Sequence, residues 1–207
     1  MEVLFEDNSI IVCIKEPGIL SQESDKGEKS MVVLLREHSG GEIFPIHRLD
    51  KDVGGVMVFA KTKQAAAELS KQVADRSFKK RYTAVVHGIM ESESGVLEDL
   101  LFKDSKRNKV FVVDRERRGV KKASLEYSVI ESNGIDSVVS VLLHTGRTHQ
   151  IRVQFASRKH PIVGDAKYGA KDGIKGIRLW SNEISFKHPK SGKEMKFSAE
   201  CGLGITE

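Results

Sequence analysis

Cysteine, proline and tryptophan are scarce in this chain of 207 residues, which contains two cysteines, four prolines and one tryptophan. So few cysteines exclude a disulfide-stabilised scaffold, and so few prolines exclude a collagen-like or proline-rich chain. No segment approaches the ~20 apolar residues that a membrane-spanning helix needs. The first residues lack the basic start and apolar stretch of a signal peptide. These absences predict a cytoplasmic globular protein with no membrane segment, whose reduced thiols, such as Cys13 in an apolar run, are packing residues.

Charge is distributed unevenly along the chain, although the net charge is only +5. Residues 103–122 contain nine bases and three acids, and residues 144–160 contain four Arg or Lys and no acid. Basic segments of this kind favour a polyanionic partner, because each phosphate that a protein neutralises releases condensed counterions. A solvated hairpin surface is the alternative explanation for residues 103–122.

Hydrophobic periodicity and turn residues predict an α+β fold with a largely antiparallel mixed central sheet flanked by helices. The pattern predicts helices over 31–38, 63–74 and 148–159, with Ser30 and Thr62 as N-caps of the first two. The second has an apolar stripe and the third has apolar residues four apart; these residues are Ala66, Leu69 and Val73, and Ile151 and Phe155. Strands are predicted over 3–7, 10–14, 55–60, 81–88, 95–102, 109–113, 121–131, 135–144, 177–187 and 193–198. Asn133-Gly134 is the strongest hairpin signal. No linker is long enough to separate two domains, so one domain is expected.

Two polar segments are candidates for a functional site. In His47–Gly55, the carboxylate Asp50 lies beside several bases and precedes two glycines that permit close backbone approach. In His144–Arg152, a strand ends at a glycine turn and a helix begins, which places Arg147 where it could hold an anion. A structural ion pair between Asp50 and Arg147 would also explain both segments.

Five segments, in order and spacing, resemble the motifs of the RluA-type RNA pseudouridine synthases. The resemblance extends from about residue 3 to residue 198. The segments are His47-Arg-Leu-Asp50, Gly55-Val-Met-Val-Phe-Ala-Lys61, Lys80-Arg-Tyr-Thr-Ala84, Thr145-Gly-Arg-Thr-His-Gln-Ile-Arg152, and His160-Pro-Ile-Val-Gly-Asp165 with Tyr168-Gly169.

This resemblance implies that a uridine within an RNA chain is isomerised to pseudouridine. It implies that Asp50 is the nucleophile and that Tyr82 acts as a base or packs on the uracil ring. Arg147 matches the arginine that pairs with the aspartate, and Arg48 matches the residue that enters the RNA stack when the target base leaves. Further RNA contacts are expected from His47, Thr148, His149 and Arg152.

The same resemblance implies a pseudouridine synthase fold with a central RNA-binding cleft, formed by one catalytic domain over residues 1–207 without an N-terminal S4-type RNA-binding domain. The expected partner is ribosomal RNA of the large subunit or transfer RNA. No metal and no small-molecule cofactor is expected, because the isomerisation needs neither a redox change nor a hydrolytic water. A monomer without membrane association is expected.

Two other functions fit the residues less well than this hypothesis. A metal hydrolase would use some of the seven histidines, but none of them has a His-Glu-x-x-His or comparable spacing. A non-catalytic RNA-binding protein with this fold would be expected to have lost the aspartate or the tyrosine, whereas Asp50 and Tyr82 are both present. One departure from the family pattern is Val53-Gly54, where many members have Thr-Ser.

Overall fold

The computed structural model of the chain describes residues 1–25, 27–200 and 203. These residues form two compact units. Unit 1 contains residues 1–25, 27–80 and 181–200, and unit 2 contains residues 81–180 and 203. The chain therefore enters unit 2 at the start of a strand and returns to unit 1 for its last strands.

Eleven strands and three α-helices are present among the described residues. The strands are Glu2–Glu6 (β1), Ile10–Lys15 (β2), Phe44–Pro45 (β3), Gly54–Ala60 (β4), Lys79–His87 (β5), Ser94–Asp104 (β6), Lys109–Val113 (β7), Val120–Ser132 (β8), Asp136–Leu143 (β9), Leu179–Lys187 (β10) and Glu194–Ser198 (β11). The helices are Met31–Ser39 (α1), Lys63–Ala74 (α2) and Gln150–Ala156 (α3), and a short 3-10 turn spans Ala166–Tyr168. The predicted α+β class is confirmed.

Unit 1 orders its strands β1-β2-β4-β10, with β3 paired to β4 and β11 paired to β10. The β1–β2, β2–β4, β3–β4 and β10–β11 pairs are antiparallel. Both helices begin at the predicted capping residues. The Ser30 side chain accepts a hydrogen bond from the Val33 N–H, and the Thr62 side chain accepts one from the Ala65 N–H.

The core of unit 1 lies between its sheet and α2. Strand β4 is buried along its whole length, which explains its unbroken apolar sequence. Leu69 of α2 is fully buried, and Ala66 and Val73 pack against the same core, as the predicted apolar stripe requires. Gln72 is buried as well, because its carboxamide bonds both the N–H and the carbonyl of Lys187.

Gly55 shows why a glycine is needed at the start of β4. Its φ is 126°, and a Cβ atom there would lie 2.6 Å from the Ser181 nitrogen and closer still to the Ser181 carbonyl oxygen. Real Cβ atoms do not approach other heavy atoms so closely. The close backbone approach predicted for this glycine is therefore confirmed, with β10 of the same unit as the neighbour.

Unit 2 orders its strands β5-β9-β8-β6-β7, and all four pairs are antiparallel. The predicted hairpin turn is confirmed. Gly134 has a φ of 87°, and the Asn133 side chain accepts hydrogen bonds from the N–H groups of Ile135 and Asp136. Helix α3 packs on this sheet through Phe155, whose ring lies 5.7 Å from that of Tyr127.

Helix α3 is shorter than the predicted helix over residues 148–159. His149 has a φ of 50° and Lys159 a φ of 68°, so both residues are left-handed. A right-handed helix cannot continue through such residues. The apolar spacing of Ile151 and Phe155 indicates the helix correctly, but it carries no information about these two backbone conformations.

Cys13 is buried in β2, and burial raises the pKa of its thiol to about 12. The prediction that this thiol is a packing residue is confirmed. Cys201 lies outside the described residues. No helix in the described part of the chain is both long and apolar enough to cross a membrane.

Candidate functional site

In unit 1, the turn that carries Asp50 lies between β3 and β4. Arg48 is exposed, Leu49 is buried and Asp50 is half-buried, so the polar side chains of the turn reach the surface while Leu49 holds it to the core. The Val53 N–H donates a 3.1 Å hydrogen bond to the Asp50 carbonyl and closes the turn. Val53, which departs from the family pattern, is buried.

The segment after β2 holds this turn in place. The Ser21 hydroxyl donates to the Leu49 carbonyl at 2.8 Å and accepts from the Leu49 N–H at 2.9 Å. The Gly18 N–H donates to the Lys51 carbonyl at 2.8 Å. The backbone on both sides of Asp50 is therefore fixed.

Lys15, at the end of β2, also supports the Asp50 turn, in addition to Ser21 and Gly18. Its side chain is fully buried, and its ammonium donates to the carbonyls of Glu16, Ile19 and Lys51 at 3.0, 2.7 and 3.0 Å. Burial lowers the pKa of Lys15 to about 8, although the nearby carboxylates of Asp52, Asp50 and Glu16 oppose the shift. One cation thus ties the turn after β2 to the Asp50 turn.

His47 occupies the core of unit 1. Its Nε2 accepts a 3.3 Å hydrogen bond from the Val58 N–H, and its ring lies 5.4 Å from that of Phe78. Burial, with a smaller contribution from Lys80, lowers the pKa of His47 to about 3. The ring is therefore neutral at pH 7, with its proton on Nδ1.

In unit 2, a side-chain network shapes the turn that carries Arg147. The Gln150 carboxamide oxygen accepts from the Thr145 hydroxyl at 2.7 Å and from the Arg147 N–H at 3.0 Å. The Gln150 amide group donates to the Ser124 carbonyl at 3.1 Å. Arg147 itself is exposed, and its Nε donates to the Lys122 carbonyl at 3.0 Å.

Arg152 is buried in the first turns of α3. Its Nε and Nη2 donate to the two carboxylate oxygens of Asp165 at 2.7 and 2.8 Å. The side chains of this pair are only 8% and 1% exposed. The Tyr168 ring lies 5.1 Å from the Arg152 guanidinium carbon. This is a desolvated, bidentate ion pair with a fixed orientation.

The Tyr168 hydroxyl joins this pair to His149. It accepts a 2.9 Å hydrogen bond from the Val110 N–H, and His149 Nδ1 lies 2.9 Å from it. His149 is the left-handed residue immediately before α3. Thr148 precedes it and is half-buried. Tyr168 thus holds the end of the Arg147 turn.

Tyr82 lies in β5 opposite Val141 of β9 and is 5% exposed. The structure gathers Arg152 and His149 around Tyr168, whereas the Arg147 guanidinium lies at the Lys122 carbonyl. His47, Arg48 and Asp50 belong to unit 1 and the other predicted site residues to unit 2. The predicted pairing of Asp50 with Arg147 joins residues of different units and stays a prediction.

Two supporting residues were not identified from the sequence. Lys15 has a sequence signal, since a lysine directly after an apolar strand and before Pro17-Gly18 has few ways to reach solvent. Tyr168 lies in a quoted motif, but nothing in the sequence indicates that its hydroxyl meets His149. Among residues 1–25, 27–200 and 203, no three His, Cys, Asp or Glu side chains gather as metal ligands.

Comparison with known proteins identifies relatives of the whole chain. Residues 9–157 match the family model described as RNA pseudouridylate synthase. An uncharacterized RNA pseudouridine synthase of Mycoplasma pneumoniae is 33% identical over 97% of this chain and 66% of its own length. The dual-specificity RNA pseudouridine synthase RluA of Vibrio vulnificus is 36% identical, over 92% of this chain and 79% of its own.

A third relative, named ribosomal large subunit pseudouridine synthase D in Zymomonas mobilis, is 32% identical over 97% of this chain and 69% of its own length. The chain spans about two thirds of the length of the first curated relatives. Human RNA pseudouridylate synthase domain containing 4 has a similar fold, with a TM-score of 0.78, 21% identity, and coverage of 96% of this chain and 88% of its own.

Proposed function

Because the chain belongs to the RNA pseudouridylate synthase family, we propose that it isomerises uridine to pseudouridine within RNA. The observation that carries this proposal is the position of the family match. It covers residues 9–157 and so includes both the Asp50 turn and the Arg147 turn. The structural support described above fixes the backbone of each turn independently.

In the proposed reaction, the bond between uracil N1 and ribose C1′ breaks and a bond between C5 and C1′ forms. The C5 hydrogen leaves as a proton, and N1 gains one, so the reaction is balanced without an oxidant, a reductant or water. We assign the nucleophile to the Asp50 carboxylate, which is half-buried on a turn with a fixed backbone. Tyr82, buried in β5, is assigned to the uracil ring as a base or a packing surface.

The two arginines of the second motif have different environments. Arg147 is exposed and hydrated, whereas Arg152 is buried and oriented by Asp165. A preorganised, desolvated guanidinium stabilises a developing charge more effectively than a hydrated one. Arg152 therefore fits the role first assigned to Arg147, and Arg147 fits an RNA phosphate contact. Arg152→Met should lower kcat, whereas Arg147→Met should mainly raise KM.

The proposed substrate is large-subunit ribosomal RNA or transfer RNA, bound in the cytoplasm by a monomer without a metal or a small-molecule cofactor. The name of the Zymomonas relative supports ribosomal RNA, and "dual-specificity" in the name of the Vibrio relative indicates more than one substrate for that enzyme. In unit 2, Lys121 and Lys122 are exposed, and the Arg117 guanidinium lies 4.8 Å from the Phe102 ring. We propose this basic surface for RNA binding.

Pseudouridine mapping of total RNA tests the function. Cells that lack the gene are complemented with the unchanged chain, with Asp50→Asn, or with Asp52→Asn, which alters an exposed acid of the same turn. We expect specific pseudouridines to disappear without the gene and to return with the unchanged chain and with Asp52→Asn. Restoration by Asp50→Asn would contradict the assigned nucleophile, and an unchanged map would favour the non-catalytic RNA-binding alternative.

A further inference from the structure

Lys80, at the start of β5 in unit 1, is a buried cation that the roles assigned above do not use. It is 9% exposed, and burial lowers its pKa. No hydrogen bond or ion pair joins its ammonium to any of residues 1–25, 27–200 and 203. Folding therefore desolvates this ammonium in part without giving it a counterion, which reduces the stability of the free protein.

His47 provides a second observation at the same place. Its Nδ1 carries the ring proton, is buried, and has no hydrogen-bond partner among the described residues. Its ring contacts Phe78, which is buried two residues before Lys80 in an alternating buried and exposed pattern. Phe78 and Lys80 therefore point to the same side of the chain. The charged Lys80 ammonium and the neutral His47 Nδ1–H group are therefore neighbouring donors, and neither has an acceptor among the described residues.

We propose that Lys80, with His47 beside it, is a binding site for a phosphate oxygen of the RNA backbone. A phosphate supplies the negative charge that the ammonium lacks, whereas a neutral carbonyl would leave that charge uncompensated. The site belongs to the same unit as Arg48 and Asp50, and Lys80 precedes Tyr82 by two residues. The inference rests on the proposed function, because it takes RNA as the source of the phosphate.

The neighbouring lysine gives a matched control. Lys79 lies in the same strand but is exposed. Lys79→Met and Lys80→Met remove the same charge from adjacent residues, so they change the long-range electrostatic field almost equally. Only Lys80→Met removes an ammonium from a buried side chain. A difference between the two variants therefore reports on the site itself.

Binding of a fluorescein-labelled, uridine-containing RNA stem–loop is measured against salt for the unchanged chain and both variants in an Asp50→Asn background, which keeps the RNA unmodified. For Lys80→Met we expect affinity to fall roughly tenfold or more and the salt slope to decrease by about 0.7–0.9. Lys80→Arg should retain most of the affinity. Neutral methylphosphonate linkages are then introduced into the RNA one at a time. At one position, the linkage should weaken binding by the unchanged chain and by Lys79→Met. The same linkage should not weaken binding by Lys80→Met any further.

Thermal unfolding without RNA supplies the second readout. Lys80→Met should raise the melting temperature, because it removes a charge that folding desolvates, whereas Lys79→Met should not. Equal effects of the two variants on RNA affinity would overturn the inference, as would a lower melting temperature for Lys80→Met. An unchanged chain that binds the RNA weakly and modifies no uridine would instead count against the proposed function.

Discussion

The Asp50 turn of unit 1 and the Arg147 turn of unit 2 are both short, polar and irregular, but different interactions hold them. Backbone carbonyls around the Lys15 ammonium hold the first turn, and no carboxylate among the described residues forms an ion pair with that ammonium. In unit 2, the cation near the turn is Arg152, which a buried carboxylate neutralises. The first turn therefore depends on the protonation of one lysine, whereas the second depends on an ion pair and a hydroxyl.

The largest expected effect comes from Asp165→Asn, which removes the negative charge and one of the two carboxylate oxygens that accept from Arg152 in unit 2. The change should lower the free energy of unfolding by about 3–5 kcal/mol, as measured by urea denaturation. The control is Asp99→Asn, because the Asp99 partner Arg158 is 34% exposed. This control should cost roughly 1 kcal/mol or less. Equal losses would show that burial of the ion pair is irrelevant.

Tyr168→Phe separates the hydroxyl from the ion pair. The variant leaves the Val110 N–H without its acceptor and removes the hydroxyl that lies 2.9 Å from His149 Nδ1, so we expect a loss of about 1–2 kcal/mol of unfolding free energy and a lower turnover rate. Tyr127→Phe is the matched control, since that buried tyrosine of unit 2 makes a longer 3.4 Å bond to the Ser92 carbonyl. Unchanged turnover in Tyr168→Phe would remove its positioning role.

The smallest effect is a pH dependence confined to unit 1. Because the folded pKa of Lys15 is about 8 and the ordinary pKa is 10.5, the unfolded chain binds more protons between these values. This group therefore makes the unfolding free energy rise with pH in that window. The same sign holds locally, because opening of the turn returns the Lys15 ammonium to water and its pKa toward 10.5, so the open turn also binds more protons.

Amide hydrogen exchange measures this local effect. After correction for the intrinsic rates, protection of the Gly18 and Val53 N–H groups should rise as the pH rises above the Lys15 pKa, because opening of this turn then requires proton uptake. The Gln150 N–H, bonded to the Arg147 carbonyl in unit 2, should keep its protection. A parallel rise in both units would contradict the difference described above.

Local sequence signals predicted most elements because the folded chain obeys the same local rules. Thr62 caps α2 at the predicted position, and Asn133-Gly134 makes the predicted hairpin. The predicted ends of α3 were wrong because the sequence does not indicate that His149 and Lys159 have left-handed backbone conformations. Tyr168 was missed as a support because its partners Val110 and His149 lie far from it in the sequence. Lys15 was missed because a single sequence does not reveal which carbonyls a lysine will reach.

Gly55 has an evolutionary consequence. Its side of β4 is filled by the Ser181 backbone, so selection for folding alone keeps this glycine. Asp50, five residues earlier, is assigned a chemical role in the proposed function. We therefore expect a descendant that lost the proposed catalysis but kept the fold to retain Gly55, whatever residue stands at position 50. A relative with Gly55 but without Asp50 would therefore be expected to have kept the fold and lost the proposed activity.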